Sequence, residues 1–321
     1  MATKPLRVGI VMDPIESITP YKDSSLAMLL EAERREAEIH YFNQADLKLV
    51  SGTALGRARR LNVEDSRTTW WRFGEEQEIA LGDLDVILMR KDPPFDMEYI
   101  YTTYILDRAR LAGALIMNEP EALRNMNEKA FTAWFPECVP PTLITRSMDE
   151  MRAFLAEHRH VVIKPLGGMG GRSVFVIRQG DKNANVVFET LTDYGRQFAM
   201  AQTYIPEISL GDKRILLFDG EPVPYALARI PSDKDHRGNL VMGAVGKGQP
   251  LSDRDREICD RVGPVLRDGG VIFAGIDVIG DYLTEVNVTS PTGMREIDEQ
   301  FDINTAGLMF DAIERRLGGK G

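Results

Sequence analysis

The chain of 321 residues is long enough for about two ordinary domains, or three small ones, because a domain usually takes roughly 100–200 residues. Its 43% hydrophobic content can bury enough surface to offset chain entropy, which excludes a generally disordered protein. Lys plus Arg number 39 against 49 Asp plus Glu. The resulting net charge of −10 repels nucleic acid and anionic membranes, so neither is expected as a partner.

Cysteine content and hydropathy bear on the compartment. Cys138 and Cys259 lie far apart and form no CxxC pattern, which is typical of a reducing compartment. No apolar stretch approaches the roughly 18 residues needed to span a bilayer. The N-terminus leads straight into an apolar strand and shows no signal peptide. We therefore expect a cytoplasmic protein.

The first 120 residues alternate between strand and helix patterns. Four strands are expected, over residues 6–12, 38–42, 84–89 and 114–117. Two helices are expected between them, over residues 25–34 and 99–111. Such alternation predicts a parallel sheet covered by helices. Residues 43–82 show no pattern that assigns an element.

The second half has a different character. Helices are expected over residues 121–135, 148–158 and 306–317, and single strands over 161–164 and 173–177. Two hairpins are expected, over residues 213–228 and 273–288, with turns at Asp219-Gly220 and near Gly280-Asp281. The predicted fold is thus an α/β N-terminal domain with a parallel sheet, followed by an α+β module of two subdomains with antiparallel sheets.

The strongest chemical signal is the hairpin over residues 273–288. Glu285 and Asn287 are two apart on one strand, so their side chains leave the same face. A two-residue turn would place Asp277 opposite Thr284, on the other face, whereas a three-residue connection pairs Asp277 with Glu285. We predict the three-residue connection. It gathers two carboxylates and an amide oxygen, a set that suits Mg²⁺. The alternative is that both carboxylates are solvent-facing charges.

A lysine and a glycine cluster follow one another. Lys164 ends an apolar strand, and four glycines within residues 167–171 let the backbone approach phosphate oxygens. Burying an ammonium without an anionic partner is costly, which favours a phosphate site over a plain glycine-rich turn. Lys129, within Asn127-Glu128-Lys129, is either a second phosphate ligand or a solvated helix lysine.

Two arginines and a long loop complete the candidate site. Arg214 and Arg229 lie on the first hairpin, and a guanidinium pairs bidentately with phosphate or carboxylate. The alternative is a pair of surface salt bridges. Residues 229–250 hold several glycines and no apolar periodicity, which is typical of a lid, a binding loop or a disordered segment.

Together these motifs resemble those of ATP-grasp ligases, and more narrowly those of the prokaryotic glutathione synthetases. The resemblance covers nearly the whole chain, with matching segments at residues 9–14, 85–95, 127–129, 164–165, 168–171, 219–224 and 284–292. It implies an N-terminal domain over residues 1–124 and an ATP-grasp module. In that module a central subdomain would take residues 125–204, and a C-terminal subdomain residues 205–321 with a mobile lid over 230–248.

The resemblance also implies roles for the matching residues. ATP would be bound by Lys129, Lys164, Gly168, Met169, Gly170, Gly171, Gln202, Thr203, Tyr204, Ile205 and Asp212, of which 202–205 would meet adenine and Asp212 the ribose. Mg²⁺ or Mn²⁺ would be held by Asp277, Glu285 and Asn287. The transferred phosphate and the substrate carboxylate would meet Arg214, Arg229 and Asn239. The peptide substrate would meet Asp13, Ser24, Arg90, Arg237, Ser290, Pro291 and Thr292. The helix start at Ser24 would hold a carboxylate or act as a simple N-cap.

The reaction that this resemblance implies joins L-γ-glutamyl-L-cysteine and glycine into glutathione through an acyl phosphate, with ATP as co-substrate. Another ATP-grasp carboxylate–amine ligase, such as a dipeptide or D-alanine ligase, is the alternative within enzymes. A nucleotide-binding regulator without turnover is the alternative outside them. The expected partners are small-molecule substrates and further copies of the chain, in a dimer or tetramer.

Overall fold

Three β-sheets, built from successive segments, organise the chain. The structure is a computed structural model, and it describes residues 4–91, 94–168, 173–230 and 245–319. The strands of the three sheets lie within residues 7–117, 142–203 and 212–287. Among these described residues, no helix is both long and apolar enough to cross a membrane.

The first sheet is mixed. Its strands are β1 (Arg7–Val11), β2 (Glu38–Phe42), β3 (Leu47–Val50), β4 (Thr53–Val63), β5 (Trp71–Ala80), β6 (Val86–Met89) and β7 (Leu115–Met117). The strands β2, β1, β6 and β7 run parallel in that order, as the alternating pattern predicts. β4 joins β2 antiparallel and carries β3 and β5. The unassigned segment 43–82 therefore adds three antiparallel strands.

Capping side chains fix where the helices beside this sheet begin. Helix α1 (Ser24–Arg34) starts after Asp23, whose carboxylate accepts from Leu26 N at 2.8 Å. Helix α2 (Met97–Leu111) starts after Asp96, which accepts from Tyr99 N at 3.0 Å.

The single helix predicted over residues 121–135 is wrong. Helix α3 (Pro120–Asn125) ends early, and a 3₁₀ helix covers Ala130–Trp134. Between them, Asn127 Oδ1 accepts from Lys129 N and Ala130 N at 3.1 and 2.9 Å. This side-chain capping starts a new turn and breaks the helix.

The second sheet is antiparallel and has its own core. Its strands are β8 (Thr142–Thr145), β9 (His160–Pro165), β10 (Phe175–Arg178) and β11 (Ala199–Thr203), in the order β10-β9-β11-β8. Helices α4 (Met148–His158) and α5 (Ala184–Thr192) pack on it. The hydrophobic cluster under these helices is formed, among the described residues, by side chains from residues 143–201.

The third sheet is also antiparallel, with the order β14-β13-β12-β15-β16. Its strands are β12 (Asp212–Phe218), β13 (Glu221–Ile230), β14 (Val245–Pro250), β15 (Phe273–Ile279) and β16 (Tyr282–Asn287). Helices α6 (Asp253–Asp268), α7 (Met294–Phe301) and α8 (Thr305–Gly318) complete this part. The predicted lid begins at the end of β13 and its last residues, 245–248, are strand β14, while residues 231–244 lie outside the described part.

The first and third sheets are joined by buried polar contacts. Asn118 is 3% exposed, and its amide donates to Phe273 O at 2.7 Å and Val288 O at 2.6 Å. Its Oδ1 accepts from Ile272 N and Phe273 N at 2.8 and 2.9 Å. Two hydrophobic clusters each contain residues of both sheets. The hairpin β15–β16, which carries the predicted metal ligands, is therefore held against the N-terminal sheet.

Candidate active site

The pairing of β15 with β16 brings the predicted metal ligands together. Asp277 lies opposite Glu285, and Gly275 lies opposite Asn287, so the predicted pairing is confirmed. The predicted three-residue connection is wrong, because Ile279 pairs with Tyr282 across a two-residue turn. A β-bulge between these pairs restores the register.

Asp277 is the centre of a buried charge network. It is 2% exposed, and Arg214, its direct neighbour on β12, donates to both carboxylate oxygens. The Arg229 Nη2 atom lies 2.9 Å from Asp277 Oδ2. Burial by itself raises the pKa of Asp277, but the two guanidinium groups have the larger effect and lower this pKa to about 2. Both arginines are less than a tenth exposed, so the surface salt-bridge interpretation is wrong.

Asp212, at the start of β12, extends this network. It lies opposite Arg229 on the neighbouring strand and accepts a hydrogen bond from its guanidinium. Burial, together with the nearby Asp277 and Glu285 carboxylates, raises the pKa of Asp212 to about 7. Within the described residues its Oδ1 atom is buried and has no hydrogen-bond partner. That oxygen is available to a hydroxyl group such as that of a ribose.

Two buried lysines contact strand β16. Lys129 is 3% exposed, and its ammonium contacts Glu128, Gly168 O at 2.5 Å and Glu285 Oε1 at 3.6 Å. Lys164 is also buried and donates to the carbonyl of Thr284 at 3.4 Å. Burial lowers the pKa of Lys164, and the Glu285 charge partly offsets this. Lys129 is therefore not a solvated helix lysine.

Glu128 is a site residue that the sequence reasoning missed. It lines a small pocket with Asn127, Gly167 and Thr289, and it contacts the Lys129 ammonium. Burial and the nearby Glu285 charge raise the pKa of Glu128 to about 7. Its position inside the Asn127–Lys129 motif was the signal that could have identified it.

The donor set on the hairpin fits a hard divalent cation. Asp277, Glu285 and Asn287 present carboxylate and amide groups on adjacent strands. Asp277 Oδ1 accepts from Arg214 and keeps a second lone pair, whereas Oδ2 already contacts both Arg214 and Arg229. Asn287 Nδ2 lies 3.4 Å from Asp277 Oδ2, and an amide flip would present the oxygen instead. In the described ranges no group of three or more His, Cys, Asp or Glu is arranged for a metal, so the third donor here would be the amide.

Four of the predicted substrate residues meet at the interface between α1 and the loop after β16. Arg90 is 3% exposed and donates to Pro291 O at 2.9 Å. Ser290 Oγ lies 3.4 Å from the Arg90 carbonyl. Met294 N donates to Ser24 Oγ at 3.3 Å. The structure thus brings Ser24, Arg90, Ser290 and Pro291 together.

The proposed carboxylate site at the start of α1 is not supported. Asp23, not Ser24, is the N-cap, and its carboxylate already bonds the Leu26 N–H. Ser24 is fully buried and bonded to Met294. A substrate carboxylate at this end would face the Asp23 charge.

Two further predicted substrate residues lie outside this contact. Asp13 pairs with Lys91 at 2.7 Å, and Thr292 is exposed.

The predicted adenine segment lies at the end of β11. Thr203 N donates to Pro141 O at 3.1 Å, and Tyr204 N donates to His160 O at 3.0 Å. The Gln202 side chain is buried and donates to Thr142 Oγ1 at 3.0 Å. Adenine would therefore have to use other backbone groups of residues 202–205.

The predicted site residues Met169, Gly170, Gly171, Arg237 and Asn239 lie outside the described residues.

Comparison with solved structures identifies the fold. A D-cycloserine synthetase matches with a TM-score of 0.67 and 14% identity, over 97% of this chain and 99% of that one. An ATP-grasp ligase complexed with a minimal precursor matches with a TM-score of 0.64 and 16% identity, over 97% and 99%. A D-alanine–D-alanine ligase from Bacillus anthracis, complexed with ATP, matches with a TM-score of 0.59 and 13% identity, over 99% and 100%. The fold is that of an ATP-grasp ligase.

Sequence comparison identifies the family. The N-terminal domain of prokaryotic glutathione synthetase matches residues 6–124, and the ATP-grasp domain of the same enzyme matches residues 128–302. A glutathione synthetase of Vibrio parahaemolyticus is 54% identical over 98% of this chain and all of its own length. One of Salmonella typhimurium is 55% identical over 97% of this chain and 99% of its own. The chain belongs to the prokaryotic glutathione synthetase family.

Proposed function

We propose that the protein joins L-γ-glutamyl-L-cysteine and glycine to form glutathione, with conversion of ATP to ADP and phosphate. The observation that carries this proposal is the arrangement of Lys129 and Lys164 against the Asp277–Glu285 pair. It places two buried cations beside the strand that carries Glu285, with Lys129 Nζ 3.6 Å from Glu285 Oε1 and Lys164 Nζ 3.4 Å from the Thr284 carbonyl oxygen, and Asp277 is the cross-strand neighbour of Glu285. Such an arrangement suits a nucleotide phosphate tail held between lysines and a divalent cation.

The reaction needs an activated carboxylate, because oxide is a poor leaving group. The cysteinyl carboxylate attacks the γ-phosphorus of ATP, the bond to the β-phosphate oxygen breaks, and an acyl phosphate and ADP result. The amine of glycine then attacks the acyl carbon, and phosphate leaves with the bonding electron pair. The ammonium proton of glycine is released before the attack, and a second proton is released as the amide forms.

The chain's own residues mainly supply positive charge. Lys129, Lys164 and residues 168–171 would hold the phosphates. Arg214 and Arg229 would neutralise charge on the transferred phosphoryl group and the substrate carboxylate, and Asn239 would donate a hydrogen bond there. Mg²⁺ or Mn²⁺, held by Asp277, Glu285 and Asn287, would supply further charge neutralisation on the phosphate oxygens.

The remaining assignments concern the nucleoside of ATP and the dipeptide. Adenine would meet residues 202–205 and the ribose would meet Asp212, whose unpartnered oxygen supports that role. The dipeptide would meet Asp13, Arg90, Ser290, Pro291, Thr292 and Ser24, the last through packing rather than as an anion site. Arg237, within the proposed lid, would also contact it and help to exclude water.

The organisation of the protein is part of the same proposal. We propose units over residues 1–124, 125–204 and 205–321, with a lid over residues 230–248. We also propose a homo-oligomer, either a dimer or a tetramer, in the cytoplasm. The two buried free cysteines agree with a reducing compartment.

Measurement of ADP release tests the reaction. Purified protein with Mg·ATP should release ADP in the presence of γ-glutamylcysteine and glycine. The rate of ADP release should be at least 100-fold lower when D-alanine replaces both of these substrates. Faster release with the D-alanine pair would favour another carboxylate–amine ligase of this fold. Binding of Mg·ATP without ADP release for any pair would favour a nucleotide-binding regulator.

A further inference from the structure

The side chain of Asn127 uses both ends of its amide group. Its Oδ1 atom accepts hydrogen bonds from Lys129 N at 3.1 Å and from Ala130 N at 2.9 Å. Its Nδ2 atom donates to the carbonyl oxygen of Leu166 at 3.1 Å. Asn127 and Leu166 are 39 positions apart in the chain, so one partly buried side chain joins two distant segments.

These three partners determine which residue type serves at position 127. Backbone N–H groups need an acceptor and a carbonyl needs a donor, so the partners themselves fix the orientation of the Asn127 amide. An aspartate could accept from both N–H groups but could not donate to Leu166. A serine could cap the turn but has no second polar atom for Leu166. Asparagine satisfies all three partners at once.

The acceptor end of Asn127 fixes the backbone of Lys129. Besides the bond from Lys129 N, the Lys129 carbonyl accepts from Thr132 Oγ1 at 2.7 Å, so both polar groups of this backbone unit are held. A lysine side chain has a long flexible stem, and its ammonium is well placed only if the backbone that carries it is fixed. The turn that Asn127 caps therefore helps to set where the Lys129 charge lies.

The donor end of Asn127 holds the backbone that the Lys129 ammonium contacts. Leu166 lies two residues before Gly168, whose carbonyl accepts from Lys129 Nζ at 2.5 Å. Two hydrogen bonds thus run between residues 127–129 and residues 166–168, one from each side chain. The bond from Asn127 leads to a neutral carbonyl and does not involve the charge of Lys129. It can therefore hold the two segments together when the ammonium turns to a ligand.

We propose that Asn127 is a positioning residue for nucleotide binding, which places the Lys129 ammonium relative to the backbone of residues 166–168. This inference rests on the proposed function, in which Lys129 and Gly168 contribute to holding the phosphates of ATP. Asn127 acts through these groups, because loss of its cap frees the backbone of Lys129 and loss of its donor frees Leu166. A charge that is already in place avoids the cost of ordering a flexible ammonium when the phosphate binds.

Calorimetric titration with Mg·ADP tests the proposal. We expect Asn127→Ala to raise the dissociation constant about tenfold, because it removes the two capping bonds and the bond to Leu166. Asn127→Ser keeps a capping oxygen, so its dissociation constant should rise only about threefold. Asn183→Ala is the matched control, since Asn183 precedes helix α5, is exposed and makes no side-chain capping bond. This control should bind Mg·ADP as the wild type does.

A double-mutant cycle separates positioning from a general loss of structure. Lys129→Met removes the ammonium, so the cap then has no charge to place. In that background, Asn127→Ala should raise the dissociation constant by about threefold at most. The same tenfold loss in both backgrounds would show that Asn127 does not act through Lys129, and would overturn the proposal.

Thermal unfolding without nucleotide checks that each variant folds. If Asn127→Ala does not fold, Asn127→Ser decides the matter, because wild-type affinity in that variant would overturn the proposal. A wild-type chain that does not bind Mg·ADP would overturn the proposed function and this inference together. Binding by the wild type with an unchanged affinity in the Asn127 variants would overturn the inference alone.

Discussion

Arg214 donates to both carboxylate oxygens of Asp277 across two neighbouring strands, one of the bonds being 2.8 Å long. Asp277 is therefore the counter-ion of a buried arginine as well as a proposed metal ligand. Glu285, its cross-strand neighbour, has a side chain that is 27% exposed and lies 3.6 Å from Lys129. Substitution of the two acids should therefore have different effects on folding.

Glu285→Gln should remove activity without unfolding the protein. The substitution keeps the shape but removes a charge from the proposed metal site, so we expect ligation to fall at least 100-fold. The midpoint of thermal unfolding should change by less than about 2 °C, because a single partly exposed ion pair contributes little. Glu221→Gln, at an exposed carboxylate on β13, is the control. Wild-type activity in Glu285→Gln would remove this residue from the site.

Asp277→Asn should cost both activity and stability. The amide leaves the buried Arg214 and Arg229 charges without their shared counter-ion, and loss of one partner of a buried pair usually costs about 3 kcal/mol or more. Urea unfolding followed by circular dichroism measures this loss. A variant as stable as the wild type would show that the arginines find another counter-ion.

The contribution of Glu31 to stability should disappear in acid. Burial raises its pKa, but hydrogen bonds from Arg34, Arg35 and Asn304 lower it more, to about 2 from an ordinary 4.5. A depressed carboxyl pKa stabilises the fold above pH 4.5, and this stabilisation is lost as the pH falls toward 2.

We therefore expect Glu31→Gln to lower the free energy of unfolding by about 3 kcal/mol at pH 7. The difference from the wild type should shrink between pH 4.5 and 2. Glu314→Gln, at the 53%-exposed acid that also pairs with Arg35, should change stability by less than about 1 kcal/mol. A difference for Glu31→Gln that does not depend on pH would contradict the assignment.

Asn118→Leu should be strongly destabilising. The substitution leaves two buried N–H groups and two buried carbonyls, at Ile272, Phe273 and Val288, without their partners. We expect a loss of about 3 kcal/mol or more in the free energy of unfolding, measured by urea denaturation. Asn118→Asp should recover part of it, because a carboxylate can still accept from the two N–H groups but cannot donate. Equal stabilities of the two variants would argue against these hydrogen bonds.

The hairpin register shows what residue patterns can and cannot predict. The alternation of side chains correctly places Glu285 and Asn287 on one face, since a strand has a period of two. The turn length is wrong because counting residues does not reveal a bulge. In the structure Thr284 Oγ1 donates to the Asp277 carbonyl at 3.1 Å, a local hydrogen bond that accommodates the extra residue.

Two other features were beyond sequence reasoning for different reasons. Strand β5 is exposed along most of its length, so it lacks the alternation that marks a half-buried strand. The burial of Arg214 and Arg229 depends on Asp277, which is 63 and 48 positions away from them in the chain and becomes their neighbour only when the sheet forms. Helix α6, by contrast, had a readable capping box at Ser252 and Asp255, although Pro264 interrupts its pattern.

The separate core under α4 and α5 has an energetic consequence. Among the described residues, apolar packing does not merge this unit with the rest of the chain, and polar contacts of Lys129 with Gly168 and of Lys164 with Thr284 connect the two. These are the groups proposed to receive the nucleotide. A triphosphate that binds these ammonium groups therefore has to displace the hydrogen bonds by which they connect the two parts of the chain, and the free energy of breaking those bonds lowers the affinity for the nucleotide.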